Sequence, residues 1–286
     1  MELSSLIGLA VGIAILAASL GMKQVPLEGL MQPVAWLIVL GGTATACLIH
    51  FSAAALANAC VQGGQSLFRR PVSLQAHIED LVEIAQFVRR QGILSLQPLL
   101  GPLERQDPYL FKGLTLAMDN TSKAFLKDSL ATEVEMVYKN RLQHARVFES
   151  AGGYAPTMGL MGALIGLMAT VQGLSDLSVL GSGIASAFSA TLLGIALANM
   201  LLLPMAGKLR ESARTEWLQH TISMQAILSI QASEHPLVLQ QKLQAFLLDQ
   251  PLEALADSVR VPTPAEDRLP AAAAERADVP EPAYIG

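Results

Sequence analysis

The chain has 286 residues, of which 52% are hydrophobic and only 15% charged, with a mean hydropathy of +0.43. Soluble domains carry roughly 25% charged residues, so this balance excludes an ordinary soluble enzyme and points to a membrane protein. The net charge of -5 gives no support to nucleic-acid binding, and Cys47 and Cys60, in or beside one apolar stretch without CxxC spacing, argue against a metal site or a disulfide framework.

Crossing the hydrocarbon core takes roughly 20 mostly apolar residues, and four segments meet that length. The first runs from Leu3 to Met22 and is closed by Lys23. Glu2 stands where a secretory signal would be positive, so the segment reads as a retained helix. After the linker KQVPLEGLMQ, the second span starts near Pro33 and runs past Cys47; its inner end stays open, because no formal charge occurs between Glu28 and Arg69. His50 is the ionisable residue well inside this segment, and a helix-end histidine facing lipid headgroups accounts for it.

A charged block follows. In LQAHIEDLVEIAQFVRRQG, Ile78, Leu81, Val82 and Ala85 share one helical face and Gly92 stops the helix. The stretch SKAFLKDSLATEVEMVYKNRLQHARVFESAGG predicts a long helix that continues into the third span, about Tyr154 to Gly173. The connection LSDLSVLGS leads to the fourth, about Val179 to Ala206. A tail begins after Pro204 with two helices divided near Pro236, and from Val261 onward it is rich in Pro and Ala and expected to be disordered. Of the 19 Lys and Arg residues, eleven lie in residues 66–150, seven after residue 206, and one, Lys23, elsewhere. The positive-inside rule then places the middle block and the tail in the cytoplasm, with two short loops outside.

The fold class expected is all-α: a polytopic membrane protein with four transmembrane helices and a helical cytoplasmic domain. Its parts are 1–62 (spans one and two), 63–150 (cytoplasmic helices), 151–207 (spans three and four), 208–260 (C-terminal helices) and 261–286 (the disordered end).

Spans three and four are studded with small residues. Gly159, Ala163, Gly166 and Thr170 form one helical stripe, Gly183, Ala187, Ala190, Gly194 and Ala198 another, and Ser182, Ser186 and Ser189 a neighbouring one. Lipid offers no hydrophobic drive for association, so small residues let membrane helices approach closely. Packing within the chain and a smooth surface for an inserted partner helix are both open readings. Pro156 and Pro204, at the inner ends of these spans, each free a backbone carbonyl and bend or end their helix. Between Glu149 and Lys208 the one charged residue is Asp176, in the outer connection. Membrane ion pathways usually carry ionisable groups, so if ions cross here another chain must supply the titrating group. Thr191 is the polar residue of span four placed to face it, although its hydroxyl could bond to its own helix. No pair of nucleophile and base lies at membrane depth, which argues against an enzyme.

At FESAGGYAPTMGLMGALIGL and LGSGIASAFSATLLGIALANMLLLPMAGKL the sequence resembles the MotA/PomA family, the larger subunit of the flagellar motor stator, over about Met1 to Leu248. A weaker likeness lies in EHPLVLQQKLQAFL. The resemblance implies five copies whose third and fourth spans surround single-span helices of a MotB/PomB-like partner. That partner carries the membrane aspartate and anchors to peptidoglycan; no cofactor is implied. It implies that Pro156 and Pro204 couple ion binding to motion and that Thr191 lies near the aspartate. Ala163 and Ala190 stand where sodium-driven members tend to carry threonine, which implies protons, with sodium as the alternative. RRQGILSLQ resembles the segment that contacts the rotor protein FliG: Arg89 aligns with its arginine, Arg90 lies beside it, Gln97 replaces its glutamate, and Glu104 is a substitute acid. A TolQ/ExbB-like energiser and a stand-alone channel or transporter are the alternatives, and the expected location is the bacterial inner membrane.

Overall fold

A computed structural model describes residues 3–22, 32–68, 73–172 and 177–247. The connections at 23–31 and 173–176, with Lys23 and Asp176, and everything from residue 248 onward, including the Pro/Ala-rich end, lie outside the described residues.

Every described element is helical. Helix α1 (Leu3–Met22) comes first; α2 (Pro33–Trp36) passes through a π-turn at Leu37–Gly41 into α3 (Gly42–His50). Phe51 then adopts an extended backbone (φ -121°, ψ 153°) while its N–H donates to the Cys47 carbonyl. This break ends the apolar segment whose far end the charge-free sequence left open, and α4 (Ala53–Phe68) follows it. In the charged block come α5 (Leu74–Gln91), a 3-10 turn at Ile93–Leu96, α6 (Gln97–Gln106) and α7 (Pro108–Met118). Helix α5 stops at Gly92, whose φ of +86° is the left-handed geometry that glycine adopts without penalty. Helix α8 (Lys123–Gln172) is a single helix of 50 residues, ~75 Å long at 1.5 Å per residue; the charged segment does continue into the third apolar stretch. Helix α9 (Leu177–Ala196), a π-turn at Leu197–Leu202 and α10 (Leu203–Gln231) form a second continuous rod, and α11 (Pro236–Gln244) closes the described chain.

The tail therefore does not begin after Pro204 as a new helix. Proline lacks an N–H and its ring crowds the carbonyl four residues back. The chain answers by widening the preceding turn, so that the Leu203 N–H donates to Ala198, five residues back, and the rod continues. Pro156 likewise lies inside α8 without ending it.

Stretches within Pro33–His50, Lys123–Val171 and Gly183–Gln231 are long and apolar enough to cross a membrane, and α1 is apolar along Ile7–Met22. The charged end has its own core. Ile78, Leu81, Val82 and Ala85, the face read from the sequence, are buried with Leu114, Leu126, Leu130, Ile222, Ile227 and Leu239. These residues come from both 63–150 and 208–247, so the two segments form one body around one core. A smaller cluster of Ala59, Ala145, Phe148, Ala206 and Leu209 joins that body to the apolar end. Beside it, the Arg141 guanidinium donates to Gln62 at 2.8 Å and pairs with both carboxylate oxygens of Glu216 at 3.0 Å, tying α4, α8 and α10 together.

Helices α8 and α9 touch through their backbones. A methyl group at Gly194 would lie 2.5 Å from the Ala155 carbonyl oxygen, and one at Gly159 would lie 2.8 Å from that of Ala190. A backbone oxygen cannot step aside as a side-chain tip can. Gly194→Ala therefore forces the rods apart at a cost on the order of 1–3 kcal/mol, whereas Gly181→Ala, which meets nothing within 4 Å, costs little. Yield of folded protein and melting temperature in detergent measure the difference; equal values for the two variants would contradict the contact.

Two half-buried histidines sit in the charged body. His220 stacks on Tyr109 with centroids 4.5 Å apart, and His77 Nε2 lies 2.8 Å from the Ser223 hydroxyl. Burial lowers both below the usual 6.5, outweighing the carboxylates of Asp107, Asp80, Glu216 and Glu133 that act the other way. The unfolded chain thus takes up protons first. Stability is full above about pH 6.5 and is lost as pH falls below it toward the lowered folded values. Thermal melts followed by Trp217 fluorescence in a Trp36→Phe background should show this decline, and His77→Gln with His220→Gln should flatten it.

Candidate functional site

The register of the two rods brings the candidate residues together. Their contacts pair Thr170 with Gly183, Gly166 with Ala187, and Gly159 with Ala190, Thr191 and Gly194, in one antiparallel sequence. Further along, Gly152 meets Leu203: a methyl at Gly152 would lie 2.6 Å from its Cδ2. Gly152 is four residues before Pro156, so it owns the carbonyl that Pro156 leaves without its helical donor. Leu203 directly precedes Pro204. The two proline-loosened turns therefore pack against each other, an arrangement that no spacing within either segment reveals.

The small-residue stripes serve packing within the chain. Gly159, Thr170, Ala187, Ala190, Gly194 and Ala198 are all buried, and Gly166, Gly183 and Ala163 are half-buried. What the third span turns outward is large and apolar, with Leu160, Leu164, Met168 and Val171 exposed and Phe188 beside them on the fourth. The smooth stripe is thus covered by the chain's own neighbouring helix. Ser189 donates to the Ala185 carbonyl, and the side chain of Ser182 lies outside the described residues.

Ala190, 2% exposed, is turned toward Gly162, and a methyl built on Gly162 would come within 3.0 Å of its Cβ. A groove of about 260 Å³ opens beside it between α2, α8 and α9, lined by Ile38, Gly162, Thr170, Ser186 and Ala190. The Thr191 hydroxyl donates to the Ala187 carbonyl at 3.3 Å, and Thr170 to Gly166 at 2.8 Å. Both hydroxyls spend their protons on their own helices. Pro156 is half-buried and Pro204 exposed.

At the far end of the molecule the four polar candidates, Arg89, Arg90, Gln97 and Glu104, are all exposed. Arg89 donates to the Ser233 carbonyl at 3.1 Å and so clamps the turn that follows α10, where Ser233 holds a φ of +55°. Arg89 and Arg90 end α5, Gln97 begins α6 and Glu104 lies two turns further on it. Among the described residues no group of three or more His, Cys, Asp or Glu side chains could hold a metal ion.

Sequence reasoning missed one contact in the apolar part. His50 is exposed at the end of α3, as expected, and also makes contacts: its Nδ1 lies 2.9 Å from the Tyr154 hydroxyl on α8, and its ring stacks on Phe51 with centroids 4.1 Å apart. The residues are 104 apart in the chain, and no local pattern pairs them.

Comparison with known proteins agrees with this geometry. The MotA/TolQ/ExbB proton channel family matches residues 103–221. Motility protein A of Bacillus subtilis is 34% identical over 253 residues, covering 86% of this chain and 91% of that one. The structure resembles that of the flagellar MotAB stator complex from Bacillus subtilis (TM-score 0.77, 32% identity, 89% of this chain and 98% of that chain). It also resembles C. jejuni MotAB (TM-score 0.82, 25% identity, 88% and 98%). The likeness extends over nearly the whole length of these motility proteins, which sets aside the TolQ/ExbB-like alternative. The chain belongs to the MotA/TolQ/ExbB proton channel family, and within it to the flagellar stator subunits of the motility protein A type.

Proposed function

We propose that this chain works as one of five copies in a ring around the single-span helices of a MotB-like partner, converting proton flow across the bacterial inner membrane into torque on the rotor. The observation that carries this reading is the pair of continuous rods, α8 and α9–α10, which touch at their two loosened proline turns and run on into one charged body. A change of packing at the apolar end then has a stiff route to the far end. The partner supplies the membrane carboxylate, since the apolar stretches of this chain offer none beyond Asp176. Protonating a buried carboxylate changes its desolvation cost by several kcal/mol or so, enough to bias a ring with two packings.

Ala163 and Ala190 present methyl groups, where a hard cation such as sodium would need oxygen ligands; this supports protons. The charged body lies on the cytoplasmic side, where the Lys and Arg residues concentrate. There, Arg90 and Glu104 offer charge to the rotor protein FliG, and Arg89 holds the surface in shape through Ser233. Gln97 contributes no charge, so the basic half of the contact dominates.

Two tests address this reading. Pro156→Leu and Pro204→Leu should each restore the missing helical hydrogen bond, leave co-purification with the partner intact and abolish swimming; normal motility in both variants would remove the coupling role. Arg90→Glu should cut swimming speed severely while leaving assembly intact, and an acidic-to-basic change on the rotor should recover part of it. A swimming assay in cells lacking the native subunit reads both.

A further inference from the structure

We propose that His50 and Tyr154 form the proton-accepting exit of the ion path, where a proton leaving the partner's membrane carboxylic acid is taken up and passed to water at the inner face. The proposal rests on the stator reading above. Among the described residues of 33–50, 154–172 and 177–203, His50 is the one imidazole, a side chain that can take a proton at one ring nitrogen while the other stays engaged. Its position is built. Tyr154 holds Nδ1 from α8, and Phe51, in the extended break after α3, stacks on the ring with an interplanar angle of 13°. With Nδ1 engaged, Nε2 is the nitrogen left to exchange a proton, since the bond made by one ring nitrogen sets the role of the other.

Tyr154 also stands at the loosened turn. It precedes Pro156 by two residues, its carbonyl accepts the Thr157 hydroxyl at 2.7 Å, and the Gly152 carbonyl beside it lacks its helical donor. A hydroxyl, an imidazole and a freed carbonyl thus gather at one level. Ala163 lies nine residues further along α8, ~14 Å away along the helix axis. Of the elements around this corner, α8 contributes Tyr154 and, more than a turn below, Glu149, which pairs with Arg210 of α10 at 2.7 Å; α4 contributes only Cys60 as a titratable group.

The transfer balances without any oxidant or reductant. The partner's carboxylic acid gives its proton, through water, to His50 Nε2 and becomes carboxylate. The imidazolium keeps its Nδ1–H donating to the Tyr154 hydroxyl. Nε2–H then releases the proton to water, and neutral imidazole is restored.

The test uses the full chain with its partner, in cells whose swimming depends on them. His50→Gln keeps a side chain able to bond Tyr154 but unable to carry the proton. It should assemble as the parent does and swim far more slowly, by about a hundredfold, the low end for losing a positioned proton acceptor. Added imidazole, which enters cells in its neutral form, should restore part of the speed. Parental speed in His50→Gln, or slowing that imidazole does not relieve, would overturn the proposal, and so would parental motility that requires sodium. Tyr154→Phe keeps the ring and its packing, and should shift the internal pH at which speed falls by half; an unchanged profile counts against the relay even if the His50 variant fails to fold. A parent that swims, a Pro204→Leu variant that does not and an unaffected His50→Gln would sink the relay alone. A parent that restores no motility with any partner would sink the stator reading and the relay with it.

Discussion

The contact between the backbones of Gly159 and Gly194 governs the rest of the apolar end. In lipid, two leucine-faced helices gain nothing from hiding from water, so what holds rods together is how closely their main chains approach. Here the approach is limited by a carbonyl oxygen on one side and an α-carbon on the other, with no side chain between. Such a contact tolerates almost no sliding. It fixes which turn of α8 faces which turn of α9, and so determines that the Pro156 turn meets the Pro204 turn.

That register also explains why the second rod, α9–α10, carries a π-turn rather than a break. From Thr170–Gly183 down to Gly159–Gly194 the pairing advances evenly on both helices. Beyond Leu197–Leu202 it has slipped, because Gly152 now meets Leu203, further along α10 than an even advance would reach. The extra residue in the π-turn accommodates Pro204 while leaving the helix axis intact. A kinked or ended helix would have disconnected the apolar contacts from the charged body. The proline costs hydrogen bonding locally, and the rod survives it.

Much of this was legible in the sequence, for identifiable reasons. The buried face of α5 followed from the spacing of Ile78, Leu81, Val82 and Ala85, and its end from Gly92, because helical period and glycine geometry are local. The long α8 was readable because no proline or glycine interrupts the charged stretch from Lys123 to Ala151. What could not be read were facts that depend on which helix neighbours which. Small residues in a stripe announce a close contact but not with whom, and here the contact is internal, so that Ala190 is buried against Gly162 instead of facing outward. The inner end of the second span was illegible because residues 29–68 carry no charge. The pairing of His50 with Tyr154 spans the connection from the second span to the third, beyond the reach of any periodicity. Arg89 matched a motif, yet its bond to Ser233 depends on α5 and the turn after α10 lying side by side.

The joint between the two ends must be stiff for motion at one to be felt at the other, and its chemistry suits that requirement. The apolar cluster there is small: Ala59, Ala145, Val147, Phe148, Ala206 and Leu209 are buried, with Phe51, Leu56, Leu202 and Met205 packed against them, and apolar contacts of this kind are non-directional. Arg141 compensates by fixing directions. A guanidinium that meets both oxygens of Glu216 and the amide oxygen of Gln62 defines the relative rotation of three helices, because its donors form a planar fork. Its half-buried site makes desolvation offset much of the attraction, so the cluster adds little to net stability. Its contribution is orientation: α4 leaves the apolar end, α8 passes through it, α10 returns from it, and one cation holds all three in phase at the level where a rotation of the membrane helices would otherwise be dissipated.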